Sequence, residues 1–221
     1  MDNNLDQPDE SLRDLVFQHP LFLGGENLDR SRLAALVTKA REATQITLDT
    51  YAYLPKRFNF LQTHHSVVFL YKLAKLLHQE GFDAAICDRI FLLNKVLNGV
   101  DLYYRIDMPE HFIIGHGLGI VFSRATYGNH LVVFQNTTIG SQDGTYPVIG
   151  ERVVIYPNCL IIGKCHIGSN SVVGAGTRLI HKSVPDDSVA FEKDGKLHIK
   201  ENTRREIEKY FAVGPMKISS R

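Results

Sequence analysis

The chain has 221 residues, enough for one large domain or two modest ones, and a formal net charge of +1. That balance gives no electrostatic reason to expect nucleic acid or a charged membrane surface as partner. Three cysteines without metal-ligand spacing, no basic and apolar leader, and no apolar run of membrane-span length together predict a reducing, cytoplasmic setting.

Residues 1–10 are polar and read as frayed. An apolar cluster from Leu12 to Phe17 predicts a short helix stopped by Pro20 and Gly24-Gly25. A longer helix is expected from about Ser31 to Asp49, with Leu33, Leu36, Val37, Ala40 and Ala43 on one face. After the break at Pro55, the stripe Val67, Leu70, Tyr71, Ala74, Leu77 predicts a second helix ending near Gly81. Asp83 reads as the N-cap of a third, carrying Ile86, Ile90, Leu93 and Leu97 and stopped by Asn98-Gly99. His64, His65 and His78 fall in this region and read as structural or surface histidines.

Beyond Asp101 the periodicity changes. Steps of six from Ile149 land on Ile155, Ile161, Ile167, Val173 and Leu179. Four positions after each of these six sit Val153, Cys159, Cys165, Ser171, Thr177 and Ser183, all compact. A six-residue period is the mark of a parallel β-helix: one aliphatic per short strand fills the coil and a small residue fits near each corner. Cys159 and Cys165, at equivalent places, are expected as packing residues. An earlier set, Val121, Tyr127, Val133 and Ile139, keeps the spacing, with Ala125, Leu131 and Thr137 as its compact partners. The gap from Ile139 to Ile149 is not a multiple of six, so residues 141–147 are expected to loop out of the coil. After Pro185, Val189–Lys193 and Lys196–Lys200 around Asp194-Gly195 predict a hairpin, and a helix is expected from about Asn202 to Phe211. It would cap the open end of the coils or pack on a neighbouring subunit. The fold class is therefore α+β: a helical unit over 1–105, a β-helix over 106–191, and a C-terminal hairpin and helix over 192–221.

His116 stands among Gly115, Gly117 and Gly119, which leave an imidazole unshielded and a backbone open to close approach. Imidazole can take a proton from a hydroxyl or amine near neutrality. Asp107 and Glu110 lie a short way upstream and are candidates for holding its other nitrogen, with solvated loop carboxylates as the alternative reading.

Residues 72–82, then Ile106-Asp107-Met108-Pro109, then His116-Gly117-Leu118-Gly119-Ile120-Val121, then residues 134–140 and the repeats resemble serine acetyltransferases, a branch of the hexapeptide-repeat acyltransferases. The resemblance covers about residues 66–190. It implies a left-handed parallel β-helix, three subunits with sites in the clefts between them, pairing of trimers as an open alternative, and acetyl-CoA as donor without a metal. It makes His116 the general base and Asp107 its supporting carboxylate. It places Gly140, Tyr156-Pro157 and Gly174-Ala175 along the pantetheine channel, with Lys182 at a coenzyme phosphate.

Several departures bear on the acceptor. The stretch from Asp107 to His116 is about one hexapeptide shorter than in the family, which brings in Glu110 as a substitute. The family's aspartate before the base is Gly115, and its arginine-histidine-proline loop reads Thr145-Tyr146-Pro147. Loss of an arginine removes a two-pronged carboxylate clamp, whereas Tyr146 offers a stacking face to a sugar. The expected function is acetyl transfer to a hydroxyl, with a sugar or glycan precursor placed ahead of serine and an amino-sugar N-acetyltransferase close behind. A metal-dependent hydratase using His111, His116 and His130, and a non-catalytic assembly scaffold, are the competing classes.

Overall fold

The computed structural model describes residues 30–212, so the expected helix at residues 12–17 lies outside them. Helix α1 spans Arg30–Asp49, α2 Thr63–Gln79 and α3 Ala84–Asn98. Asp83 caps α3 by accepting from the Ala85 N–H, and Gly99 ends it at φ 66°, the left-handed conformation that glycine adopts without strain. The buried face of α3 is Cys87, Ile90, Leu93, Asn94 and Asn98, while Leu97, expected inside, is exposed.

Among the described residues fourteen strands then follow. They are β1 (Val100–Asp101), β2 (Phe112–Gly115), β3 (Ile120–Phe122), β4 (Thr126–Tyr127), β5 (Leu131–Phe134), β6 (Thr138–Gly140) and β7 (Val148–Ile149). The remainder are β8 (Val154–Ile155), β9 (Leu160–Ile162), β10 (His166–Ile167), β11 (Val172–Val173), β12 (Arg178–Ile180), β13 (Ser188–Lys193) and β14 (Lys196–Glu201). They stack into three parallel faces: β1-β3-β6-β9-β12, β4-β7-β10 and β2-β5-β8-β11-β13, with β14 antiparallel on β13. The chain visits the first, second and third face in turn, making about five coils.

The hexapeptide aliphatics fill the interior. Tyr127, Val133, Ile139, Ile149, Ile155, Ile161, Ile167, Val173 and Leu179 are all buried, and each such aliphatic contributes roughly 1.5–3 kcal/mol. Cys159 and Cys165 are buried free thiols among them. Val121 is an exception to the expected register: it faces outward, and Phe122 fills the coil opposite Ile139. Ser183 is exposed, and the neighbouring Val184 takes the inner place against Ile167. At the start of the solenoid Val67, Val68 and Tyr71 of α2 close the core, and at the far end Leu197 of the hairpin packs on it.

The third face is apolar on both sides. Ile113, Val132, Val154 and Val172 point outward and are covered by Leu48 and Tyr51 from α1 and its exit, and by Ile207, Tyr210 and Phe211. The C-terminal segment expected as a helix is a single 3₁₀ turn, Glu206–Lys209, inside a strap. It leaves the last coil at Asn202, whose N–H donates to Asp187 O, and returns to the first, where Ala52 N donates to Tyr210 O at 2.8 Å. The strap therefore covers the flank of the solenoid and not its open end.

His64 and His65 begin α2. His65 is buried and satisfied: its Nδ1 accepts from Asn59 N and its Nε2 lies 2.9 Å from Pro55 O. His64 is lowered to a pKa of about 4 by burial and by its neighbour His65. The fold thus favours neutral His64, while the unfolded chain takes up a proton near the ordinary value of 6.5. Its contribution to stability is present above that value and is lost as the pH falls towards about 4. Denaturant titrations across this window should show stability falling with pH, with a shallower fall in His64→Gln; equal slopes would refute the assignment.

Candidate active site

The register dictates how His116 is presented. Gly115 pairs with Phe134, nineteen residues on, whereas Val121 pairs with Thr138, seventeen on. The two-residue difference is an insertion at the corner between the third and first faces. Backbone bonds locate it: Asn136 N donates to Leu118 O just as Asn158 N donates to Gln135 O one coil later. Leu118 and Gln135 are thus equivalent, and His116-Gly117 is the extra pair. Both residues adopt positive φ, 62° and 57°, and His116 is exposed.

The glycines have steric reasons that the sequence did not show. A Cβ on Gly117 would lie 2.6 Å from Asn98 O and 2.9 Å from Thr63 Cγ2, so the insertion rests on the end of α3 and the start of α2. That support is rigid: Ser66 donates to Asn98, Asn98 to Asn94, and Asn94 to Val67 O. On Gly115 the missing side chain's place is filled by the Phe134 ring, 2.5 Å from where a Cβ would be. The same ring lies 6.3 Å from His116 and stacks on Tyr156 at 5.5 Å and 9°. Tyr156 in turn donates to Glu206 of the strap and accepts from Tyr210, while Lys209 donates to Glu206. Burial, with these hydrogen bonds, pushes the Tyr156 phenol up. Phe134 and the strap, which the sequence did not bring to this corner, and Tyr156, expected along the pantetheine channel, form an aromatic wall beside His116.

The other expected site residues divide between corners. Tyr156 and Gly174-Ala175 follow β8 and β11 at the corner of His116, one coil apart, so they continue along the solenoid axis from it. Gly140 ends β6, and Lys182 follows β12, at the opposite edge of the first face. Tyr146 is 44% exposed on the excursion of that same edge, where Gln142 and Thr145 pair across a tight turn. Lys182 lines a groove of about 220 Å³ with Arg178, Ile180, Glu192, Gly195 and Leu197.

Asp107 and Glu110 lie between β1 and β2, before the third face begins. Asp107 is held by Lys75 at 2.6 Å. Glu110 lies 3.8 Å from His111, and its carbonyl accepts from Thr47. Neither carboxylate shares a hydrogen bond or ion pair with His116. His111 and His130 are 5.2 Å apart at the start of β2, whereas His116 follows its end. Among the described residues no group of three or more His, Cys, Asp or Glu could hold a metal ion.

Residues 146–181 match the bacterial transferase hexapeptide (six repeats) family. The chain is 26% identical over 153 residues to a serine acetyltransferase of Synechococcus elongatus, covering 60% of this chain and 62% of that one. It is 24% identical over 147 residues to a serine acetyltransferase of Bacillus subtilis, covering 63% and 67%. The chain thus spans about six-tenths of the length of these relatives. Among solved structures, the serine acetyltransferase of Brucella abortus superposes with a TM-score of 0.67 at 16% identity, covering 90% and 87%. That of Neisseria gonorrhoeae in complex with serine gives 0.63 at 18%, covering 86% and 83%. The fold they share with this chain is the left-handed parallel β-helix. Coils, matched repeats and relatives together make the chain similar to the hexapeptide-repeat acyltransferases, and among them to serine acetyltransferases.

Proposed function

We propose that the protein is an acetyl-CoA-dependent O-acetyltransferase with His116 as general base. The observation that carries this is the two-residue insertion. It lifts one exposed imidazole off the corner from which Tyr156 and Gly174-Ala175 extend along the axis, as a pantetheine arm would. His116 would take the proton of the acceptor hydroxyl as its oxygen attacks the thioester carbonyl. The tetrahedral intermediate would then expel the coenzyme thiolate, which recovers that proton from the imidazolium. An ester and free CoA result. Lys182 and Arg178, at the groove by the hairpin, would receive the coenzyme phosphates.

One chain carries the parts of this site on two edges of its first face, with Gly140, Tyr146 and Lys182 away from His116. The outward side of that face includes exposed Val121 and Ile180. A threefold assembly burying it would bring the Tyr146 loop of one subunit towards the His116 corner of the next.

Serine is the acceptor to test first, ahead of the glycan that the sequence departures favoured, because the relatives described above are serine acetyltransferases. One observation keeps the sugar reading in play: Phe134 occupies the space at Gly115, so no carboxylate stands there to meet an ammonium group. Thiol release from acetyl-CoA, with L-serine and a panel of sugars and nucleotide sugars, separates the two. Serine-dependent release is the expected result. Release with a sugar alone would overturn the serine reading, and no release or CoA binding at all would leave a scaffold.

A further inference from the structure

Among the described residues no carboxylate makes a hydrogen bond or ion pair with His116; Asp107 is engaged by Lys75 and Glu110 lies by His111. In register with the residue that follows the insertion stands Gln135. Because Leu118 and Gln135 are equivalent, Gln135 lies one coil along from Leu118, directly after the His116-Gly117 pair, at a strand-to-strand spacing of about 4.8 Å. Its Oε1 is buried and accepts no hydrogen bond. A buried acceptor left without a partner is costly. The orphan contrasts with the fully paired Ser66, Asn98 and Asn94 on the other side of the insertion. Of the other orphaned side chains among the described residues, His111 and Asn202 lie towards the other corner, and His64 is in the first turn of α2, on whose start the insertion rests.

We propose that Gln135 is a positioning residue for His116. When the exposed imidazole turns inward, Oε1 accepts the hydrogen of its Nδ1, which fixes the tautomer and leaves Nε2 bare to take a proton. This fills the place that a carboxylate would have and satisfies the orphaned acceptor in the same movement. A neutral amide orients the ring without adding a negative charge beside it, so the imidazolium is not over-stabilised and gives its proton back readily. The other titratable groups on the elements packed around this corner are His64, beside Thr63 on α2, Tyr156 one coil beyond Phe134, and Glu206, Lys209 and Tyr210 of the strap. None makes a hydrogen bond or ring contact with His116.

The inference rests on His116 being the base, but its test does not need the acceptor. Imidazole ¹⁵N and C–H signals of His116 would be recorded across pH in the wild type, Gln135→Leu and Gln135→Glu. The wild type should show the Nδ1–H tautomer, and the leucine variant should revert towards the Nε2–H form that free imidazole side chains favour. The glutamate variant, placing an opposite charge within about 4–6 Å, should raise the His116 pKa by about one unit or more. In thiol-release assays Gln135→Leu should lower kcat roughly tenfold at unchanged acceptor KM. A wild type in the Nε2–H form, or a His116 pKa unmoved in a folded glutamate variant, would overturn the proposal. A shifted pKa without acetyl transfer to any acceptor would instead sink the proposed reaction and leave this contact standing.

Discussion

Replacing His116 by alanine should lower kcat for acetyl transfer by roughly 10²–10⁴-fold, the range removed with a positioned general base. The acceptor KM should change little, because the lost contact belongs to the proton in flight and not to ground-state binding. Folding should be unaffected. The imidazole is exposed and makes no hydrogen bond, while the backbone of the insertion is fixed by Gly117 against Asn98 and Thr63. Steady-state kinetics paired with thermal unfolding checks both halves. A variant within threefold of wild type would remove His116 from the chemistry. A collapse in melting temperature would make the loss of rate uninterpretable, so the unfolding curve is part of the result.

Phe211→Ala should be the most damaging substitution in the strap. Its ring is fully buried, edge-on to Tyr51 at 6.0 Å and to His130 at 5.0 Å. Truncating a buried phenylalanine costs about 3–5 kcal/mol, part lost transfer energy and part cavity. For a chain of this size each kcal/mol moves the melting point by roughly 2–4 °C, so a fall of roughly 6–20 °C is expected. Leu61→Ala, at a side chain that is 88% exposed, is the control and should stay within about 0.5 kcal/mol of wild type. A Phe211→Ala protein melting with the control would show that the strap is peripheral to stability.

Much of the solenoid was legible because its rule is one-dimensional. An aliphatic every six residues has to fill a coil, and from Tyr127 to Leu179 those positions are buried, with the ten-residue gap after Ile139 taken up by the excursion. The first coil was misread at one residue. Ile120, Val121 and Phe122 are all apolar, so composition cannot say which faces in, and the insertion before them breaks the counting. The strap was misread for a different reason. Ile207, Tyr210 and Phe211 have helical spacing, and only docking on a distant face limits the helix to one 3₁₀ turn within a strap. A signal for that cover was present in the doubled aliphatics Val132-Val133, Val154-Ile155 and Val172-Val173, which mark strands apolar on both sides.

At the candidate site, His116 stood out by its glycines, though two of these serve packing against Phe134 and Asn98. Phe134 and Gln135 were hidden because their relation to His116 depends on register, and register follows from an insertion no local pattern announces. The placing of Asp107 beside Lys75 is likewise a long-range fact, set by where α2 crosses the first coil.

The return of the strap to Thr50–Ala52 also changes how the molecule comes apart and how it is made. A stack of coils in which each touches only its neighbours can peel from either end. Here one segment spans the stack from its last rung to its first and is stitched to the exit of α1 by Ala52 N to Tyr210 O and Ala212 N to Thr50 O. Neither end can open without stripping this cover from every rung between. The array should therefore melt as one cooperative unit and not as a zipper. During synthesis the outer side of the third face stays uncovered until residues 202–212 have emerged, so its doubled aliphatics are open to solvent for that interval.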